Sequence, residues 1–234
     1  MTRPHVIDGN IFTTKAQTLV NTVNCVGVMG AGIALECRLR YPDMFSKYAF
    51  LCHKGEIQVG SLWIYKASDR WILNFPTKFH WKEPSLEEYL HAGLKKFMSV
   101  YEEKKIESIA FPLLGAQNGG IEPSRSQSIL QSYLCKCKIP VEIYRYDPLA
   151  SDDLFNDFRA AFLNFDSREI MKQTGLRSHT ISKIHAALKR SDIRQLNALA
   201  SFEGIGIKTL EKAFVFAKKN RFAACSPMQQ TLSF

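Results

Sequence analysis

An α/β fold, a three-layer α/β/α sandwich with a mixed sheet and a small all-helical domain behind it, is predicted by three features. Short apolar runs of strand length alternate with longer stretches of helical period between residues 5 and 146. Two loops rich in glycine each follow directly on an apolar run. Beyond Asp147-Pro-Leu-Ala-Ser-Asp-Asp153, an acidic turn-forming boundary, the strand pattern stops and every segment reads as helix. The organisation expected is therefore a domain over 1–150, a helical domain over 155–221 and a flexible tail over 222–234.

The elements follow in order. His5-Val-Ile and Thr18-Leu-Val-Asn-Thr-Val23 read as strands, and one helix is expected from Gly32 to Cys52. Ser61–Tyr65 and Trp71–Phe75 flank the polar Lys66–Arg70 and read as a hairpin. Ser85, with Glu88 three positions on, has the form of a capping box for a helix that continues through Leu90, Leu94, Phe97 and Tyr101. Ser108–Leu114 is an apolar strand, Pro123 opens a helix running to about Cys135, and Val141–Tyr146 closes the sheet.

Composition narrows the function classes. The chain has 234 residues, 46% of them hydrophobic, which suits a globular protein with a sizeable core. Its formal charge of +9 favours an anionic partner such as nucleic acid. The basic excess is densest at the end, with 13 Lys and Arg against 8 Asp and Glu over residues 151–234. The six cysteines form no CxxC pair, so reduced thiols are expected and no metal site. Without an apolar leader or a membrane-length run, a cytoplasmic protein away from membranes is expected.

The chemistry concentrates in two loops, Gly27-Val-Met-Gly30-Ala-Gly32 and Gly115-Ala-Gln-Asn-Gly119-Gly120. Such loops let backbone N–H groups approach a phosphate, and a helix starting at Gly32 would add its positive end. Two of them at the carboxyl edge of a sheet suit a diphosphate, although ordinary tight turns leave the same trace. The spacing lacks the third glycine and acidic strand end of a dinucleotide fingerprint, which argues against hydride transfer. Asn21, Asn24 and Asn118 flank the loops; amides there can bind ribose hydroxyls or cap their own turns. Lys78, flanked by Phe75, Pro76, Phe79 and Trp81, suits a partly desolvated amine, whose lowered pKa would free it for nucleophilic work. A surface lysine lying over aromatics is the alternative. His80 is a nearby candidate for proton transfer.

Three stretches carry a resemblance. Val20-Asn-Thr-Val-Asn24-Cys-Val-Gly-Val-Met-Gly30-Ala-Gly-Ile-Ala34, Asn74-Phe-Pro-Thr-Lys78-Phe-His-Trp81 and Phe111-Pro-Leu-Leu-Gly115-Ala-Gln-Asn-Gly-Gly120 occur in this order within residues 5–147. Together they resemble the macrodomain family, in particular its DarG-like DNA ADP-ribosyl glycohydrolases and, more distantly, the human terminal ADP-ribose glycohydrolase. The resemblance implies a hydrolase, without a cofactor, that removes ADP-ribose from DNA modified by a DarT-like toxin. It implies that Asn10 and Ile11 lie near the adenine, and that Gly30, Ala31, Gly32, Ile33 and Ala34 wrap the diphosphate. With them it places Leu114, Gly115, Ala116, Gln117, Asn118, Gly119, Gly120 and Ile121. It implies that Asn21, Thr22 and Asn24 reach the distal ribose with Thr77 nearby, and that Lys78 and Asn24 are catalytic. Lys78 would either attack C1″ or orient the ribose and assist the leaving base. The sequence departs from the human relative in having no acid in the second loop, and from DarG-like proteins in having Ala31 where a basic residue is usual.

The tail offers two patterns. Ser167–Ile184 has the glycine turn of a helix-turn-helix, with Arg177, Ser178, His179, Thr180 and Lys183 expected to point outward. Phe202-Glu-Gly204-Ile-Gly206-Ile-Lys208 resembles the hairpin of helix-hairpin-helix proteins, which hold a DNA phosphate through N–H groups and a lysine. Thr174-Gly175-Leu then reads as a degenerate first copy, making 155–221 a tandem domain that binds DNA through Arg177, Lys183, Gly204, Gly206 and Lys208. Gln229-Gln-Thr-Leu-Ser-Phe234 is similar to peptides that dock on replication sliding clamps. Competing functions are a reader that binds ADP-ribose without cutting, a protein-directed hydrolase, and an antitoxin whose tail binds a toxin.

Overall fold

Residues up to Asp147 form one compact unit and those from Pro148 a second, in a computed structural model that describes residues 3–221. The clamp-like peptide and the flexible tail expected over 222–234 lie outside the described residues.

Six strands build the first unit: β1 (His5–Gly9), β2 (Thr18–Val23), β3 (Trp63–Lys66), β4 (Trp71–Pro76), β5 (Ile109–Pro112) and β6 (Val141–Tyr146). They stand in the order β1-β6-β5-β2-β4-β3, every pairing parallel except the β3–β4 hairpin. The central strands β2, β4 and β5 are buried on both faces, which is why they read as largely apolar runs, while the edge strands β1 and β3 are partly exposed. Successive side chains point to opposite sides. Leu19, Ile72, Ala110 and Tyr144 therefore join one core with Met44 and Tyr48, while Val20, Leu73, Phe111 and Ile143 join the other with Leu94 and Leu130. Each fully buried aliphatic or aromatic side chain contributes roughly 1.5–3 kcal/mol.

The helices are α1 (Gly32–Arg40), α2 (Pro42–His53), α3 (Glu87–Val100) and α4 (Pro123–Leu134). The single helix expected over 32–52 is thus two. Tyr41, with φ −132° and ψ 69°, is pushed out of helical geometry by the proline that follows it, and Pro42 opens the second helix. The expected capping box is also corrected: α3 starts at Glu87 with no side-chain cap, and Ser85 is buried with its N–H donating to the Gly119 carbonyl. Leu90, Leu94, Phe97 and Tyr101 all face the core, as their period requires.

The second unit is helical throughout: α5 (Phe155–Asn164), α6 (Ser167–Thr174), α7 (Ser178–Leu188), a 3-10 turn (Leu196–Ser201) and α8 (Ile207–Arg221). It contains a repeat of period 29. Gly175 and Gly204 both have positive φ, 61° and 80°. The following Leu176 and Ile205 are buried, as are Ile181 and Leu210. Lys183 and Lys212 occupy the next equivalent positions, and each reaches the other copy's hairpin: Lys183 Nζ donates to the Glu203 carbonyl (3.2 Å) and Lys212 Nζ to the Gly175 carbonyl (2.6 Å). Of the outward-facing set expected for a helix-turn-helix, Arg177, Ser178, His179 and Lys183 are exposed, whereas Thr180 is buried, and Arg177 is the residue before α7 rather than part of it.

Candidate active site

Parallel strands end at one edge of a sheet. Because β1, β2, β4, β5 and β6 all run the same way, the segments after Gly9, Val23, Pro76, Pro112 and Tyr146 emerge together. That edge gathers Asn10, the first glycine loop, Lys78 and the second glycine loop.

Asn24 shapes the first loop. Its Oδ1 accepts from Val26 N (3.0 Å) and Val28 N (3.3 Å), and its Nδ2 donates to the Val28 carbonyl (2.6 Å). The buried Tyr48 hydroxyl donates to the Asn24 carbonyl (2.6 Å), fixing the loop to α2. The amide expected at the distal ribose is thus engaged within its own turn. The loop then opens α1, whose N-cap Ala31 provides no side-chain cap, so the amides of Gly32, Ile33 and Ala34 point out of the helix end without intrahelical partners.

The second loop is closed by backbone. Ile121 N donates to the Gly115 carbonyl (3.0 Å) and Ser85 N to the Gly119 carbonyl (2.8 Å). A Cβ at Gly119 would lie 2.2 Å from the Gly115 oxygen, so only glycine fits there. Among the described residues, the amides of Gln117, Asn118, Gly119 and Gly120 donate to no protein acceptor. Leu114 is buried behind them, its carbonyl taken by Ser126 Oγ (2.8 Å).

Lys78 joins the two. Its ammonium donates to the Asn118 carbonyl, and a Cβ added to Gly32 would meet the Asn118 amide nitrogen at 2.7 Å, so first loop, second loop and lysine converge on one residue. The aromatic enclosure expected around Lys78 is incomplete: Phe75 is buried in the core, but Phe79 is 54% and Trp81 48% exposed. The Asn118 carbonyl, rather than an apolar shroud, is what the structure supplies to this side chain. His80 is turned into its own bend, its Nδ1 accepting from Lys82 N (3.3 Å).

Asn10 and Asn21 are buried. Asn10 Oδ1 accepts from Phe12 N (2.9 Å) and orders the turn Ile11–Thr13, while Asn10 Nδ2 has no partner among the described residues. Asn21 Nδ2 donates to Asn74 Oδ1 (2.9 Å), leaving Asn21 Oδ1 without one. Thr77, also buried, donates its N–H to the Val23 carbonyl (2.9 Å) and extends the β2–β4 pairing toward Lys78. Sequence reasoning missed Tyr48, Asn74 and Ser85 as supports of these loops. Ser85 was visible only as a helix cap, and nothing local marks a tyrosine 24 positions from its partner.

Burial raises the thiol pKa of Cys25, beside the first loop, to about 11. All five described cysteines are free, and no cluster of metal-ligating side chains occurs among the described residues. Nor is any described helix long and apolar enough to cross a membrane.

The Macro domain family matches residues 20–130. The macrodomain of Mycobacterium tuberculosis DarG superposes with a TM-score of 0.57 at 38% identity, covering 60% of this chain and 97% of that one. The chain belongs to the macrodomain family. Thermosipho africanus DarTG, solved in complex with ADP-ribose, matches at 34% identity and a TM-score of 0.59, over 62% of this chain and 42% of that one. A Thermus aquaticus protein named DNA ADP-ribosyl glycohydrolase is 40% identical over 147 residues, 61% of this chain. The macrodomain chain spans only 41% of that relative's length. The family match lies within the first unit, and the helical unit is described from its own geometry.

Proposed function

We propose that this macrodomain protein removes ADP-ribose from ADP-ribosylated DNA bases by cleaving the N-glycosidic bond at C1″ of the distal ribose. The observation that carries the reading is the convergence of Lys78 with two amide-lined loops at Asn118. Names and contents of the relatives support it: an ADP-ribose complex and a DNA ADP-ribosyl glycohydrolase.

In this reading the free amides of residues 117–120 and the α1 end bind the diphosphate. Asn10 and Ile11 border the adenine. Asn21, Thr22 and Thr77 line the distal ribose, and Asn24 acts by holding the loop. Lys78 Nζ exchanges the Asn118 carbonyl for the ribose. The C1″–N bond then breaks with its electron pair going to the base, and water supplies the hydroxyl at C1″ while its other proton ends on the base nitrogen. Attack by a free Lys78 amine and assistance by its ammonium are separated by borohydride trapping: a Lys78–ADP-ribose adduct means attack, turnover without an adduct means assistance.

The helical unit is proposed to grip DNA backbone without reading bases. Arg177, Gly204, Gly206 and Lys208 are exposed, and the hairpin amides around Gly204 fit a phosphate, while Lys183 serves as a brace between the copies. A DarT-like toxin is the rival partner for this unit. Binding to undamaged DNA that falls steeply with salt supports the nucleic-acid assignment, and co-purification of a toxin with no DNA binding overturns it.

The test of the activity is an oligonucleotide bearing one ADP-ribosylated base. Restoration of the unmodified strand with stoichiometric free ADP-ribose is expected. Binding without release would make the protein a reader, and release only from a modified protein would make it a protein-directed hydrolase.

A further inference from the structure

The stretch Phe79-His-Trp-Lys82, immediately after Lys78, has rings in solvent on a backbone that is held. Thr77 N and Cys25 N pair with the Val23 and Phe79 carbonyls (both 2.9 Å), so the segment through Phe79 is stitched to the first loop. Glu83 N donates to the His80 carbonyl (3.1 Å), and Lys82 N to His80 Nδ1, which closes a tight bend. Yet Phe79 and Trp81 are 54% and 48% exposed. Large aromatic rings fixed in place and left wet are unusual outside binding surfaces.

Their arrangement is directional. The His80 and Trp81 rings stack at 5.7 Å and 28°, and Lys82 Nζ sits 5.1 Å from the Trp81 ring centroid. Phe79 walls a cavity of about 860 Å3 that it shares with Val26, His53, Val59 and Tyr89. Lys78 and Lys82 bracket the rings, with Glu83 the one acid in residues 78–83. A planar ring beside a cation, next to the bond to be cut, matches the two faces of an unpaired nucleotide: a base to stack and a phosphate to neutralise.

Resting on the DNA reading above, we infer that the Phe79–Trp81 bend is a base-stacking subsite for the unpaired nucleotides that flank the modified one.

The experiment compares wild type, Phe79→Ala, Trp81→Ala and Trp81→Phe on two oligonucleotides. One carries the ADP-ribosylated base in an ordinary strand, and the other has abasic sites on both sides of it; ADP-ribose affinity is measured by calorimetry alongside. Trp81→Ala is expected to raise KM for the ordinary strand about tenfold, the loss of one base stacked on one ring, with kcat within about twofold. Wild type should show the same raised KM on the abasic strand, where Trp81→Ala adds nothing, and Trp81→Phe should restore most of the loss. Unchanged KM in both alanine variants overturns the subsite, as does a matching fall in ADP-ribose affinity, which would make the rings part of the frame around Lys78. A wild type that binds ADP-ribose but releases none from either strand overturns the DNA reading itself, and is told apart because no variant then differs from it. Equal KM values on both strands for wild type, with turnover intact, overturn only the flanking-base contact.

Discussion

The two glycine loops meet at Asn118, yet they are built by opposite means. The first is held by side chains, the Asn24 amide inside it and the Tyr48 hydroxyl behind it. The second is held by backbone, its ends joined through Ile121 N and its flank through Ser85 N. A loop held by side chains is broken by removing atoms, and a loop packed backbone to backbone is broken by adding them. The contrast sets the order in which substitutions should hurt.

The largest effect should follow a single added methyl in the second loop. Gly119→Ala would place Cβ 2.2 Å from the Gly115 carbonyl and 2.3 Å from Ser85 Oγ, and the backbone partner cannot rotate away. ADP-ribose affinity, measured by calorimetry, should fall by at least about a hundredfold as the free amides lose their alignment. A fall under threefold would mean that the second loop does not bind the diphosphate. A middle effect is expected behind the first loop. Tyr48→Phe removes the donor to a buried carbonyl and should cost about 1–3 kcal/mol in urea unfolding, with ADP-ribose affinity down less than about tenfold. The smallest effect sharpens the same contrast: Gly30→Ala, whose Cβ would meet only Val28 Cγ1 at 3.7 Å, should leave stability within about 0.5 kcal/mol and affinity within about threefold. Should Gly30→Ala instead match Gly119→Ala, the loops would be alike and the distinction lost.

Periodicity was enough to read the strands: β2 and β4, covered on both faces, are largely apolar at Thr18–Val23 and Trp71–Pro76, while Val141–Tyr146 keeps Val141, Ile143 and Tyr144 buried and leaves Arg145 exposed. Both glycine loops were readable for the same local reason, each following directly on such a run. What the sequence hid is long-range. Ser85 has the local form of a helix cap, and only the approach of Gly119 in three dimensions shows what it holds. Asn24 carries the same amide whether it contacts a ribose or its own turn, and the three bonds within the turn distinguish the two. The break at Tyr41–Pro42 was legible and outweighed by the apolar period on either side of it. In the helical unit, Lys183 and Lys212 look like free cations in a basic tail; the repeat of period 29 turns them into reciprocal braces.

In the proposed reaction Lys78 acts on the scissile bond while the loops hold the ligand. The measurement that tests it most directly is Lys78→Ala, assayed for release of ADP-ribose from a modified oligonucleotide and, separately, for ADP-ribose affinity. Turnover should drop by at least about a thousandfold with affinity within about fivefold of wild type, since the proposed diphosphate donors are backbone amides the substitution leaves in place. Turnover within about tenfold of wild type, or a parallel collapse of affinity, would contradict the account by making Lys78 a structural tie to Asn118 rather than the residue that serves the reaction.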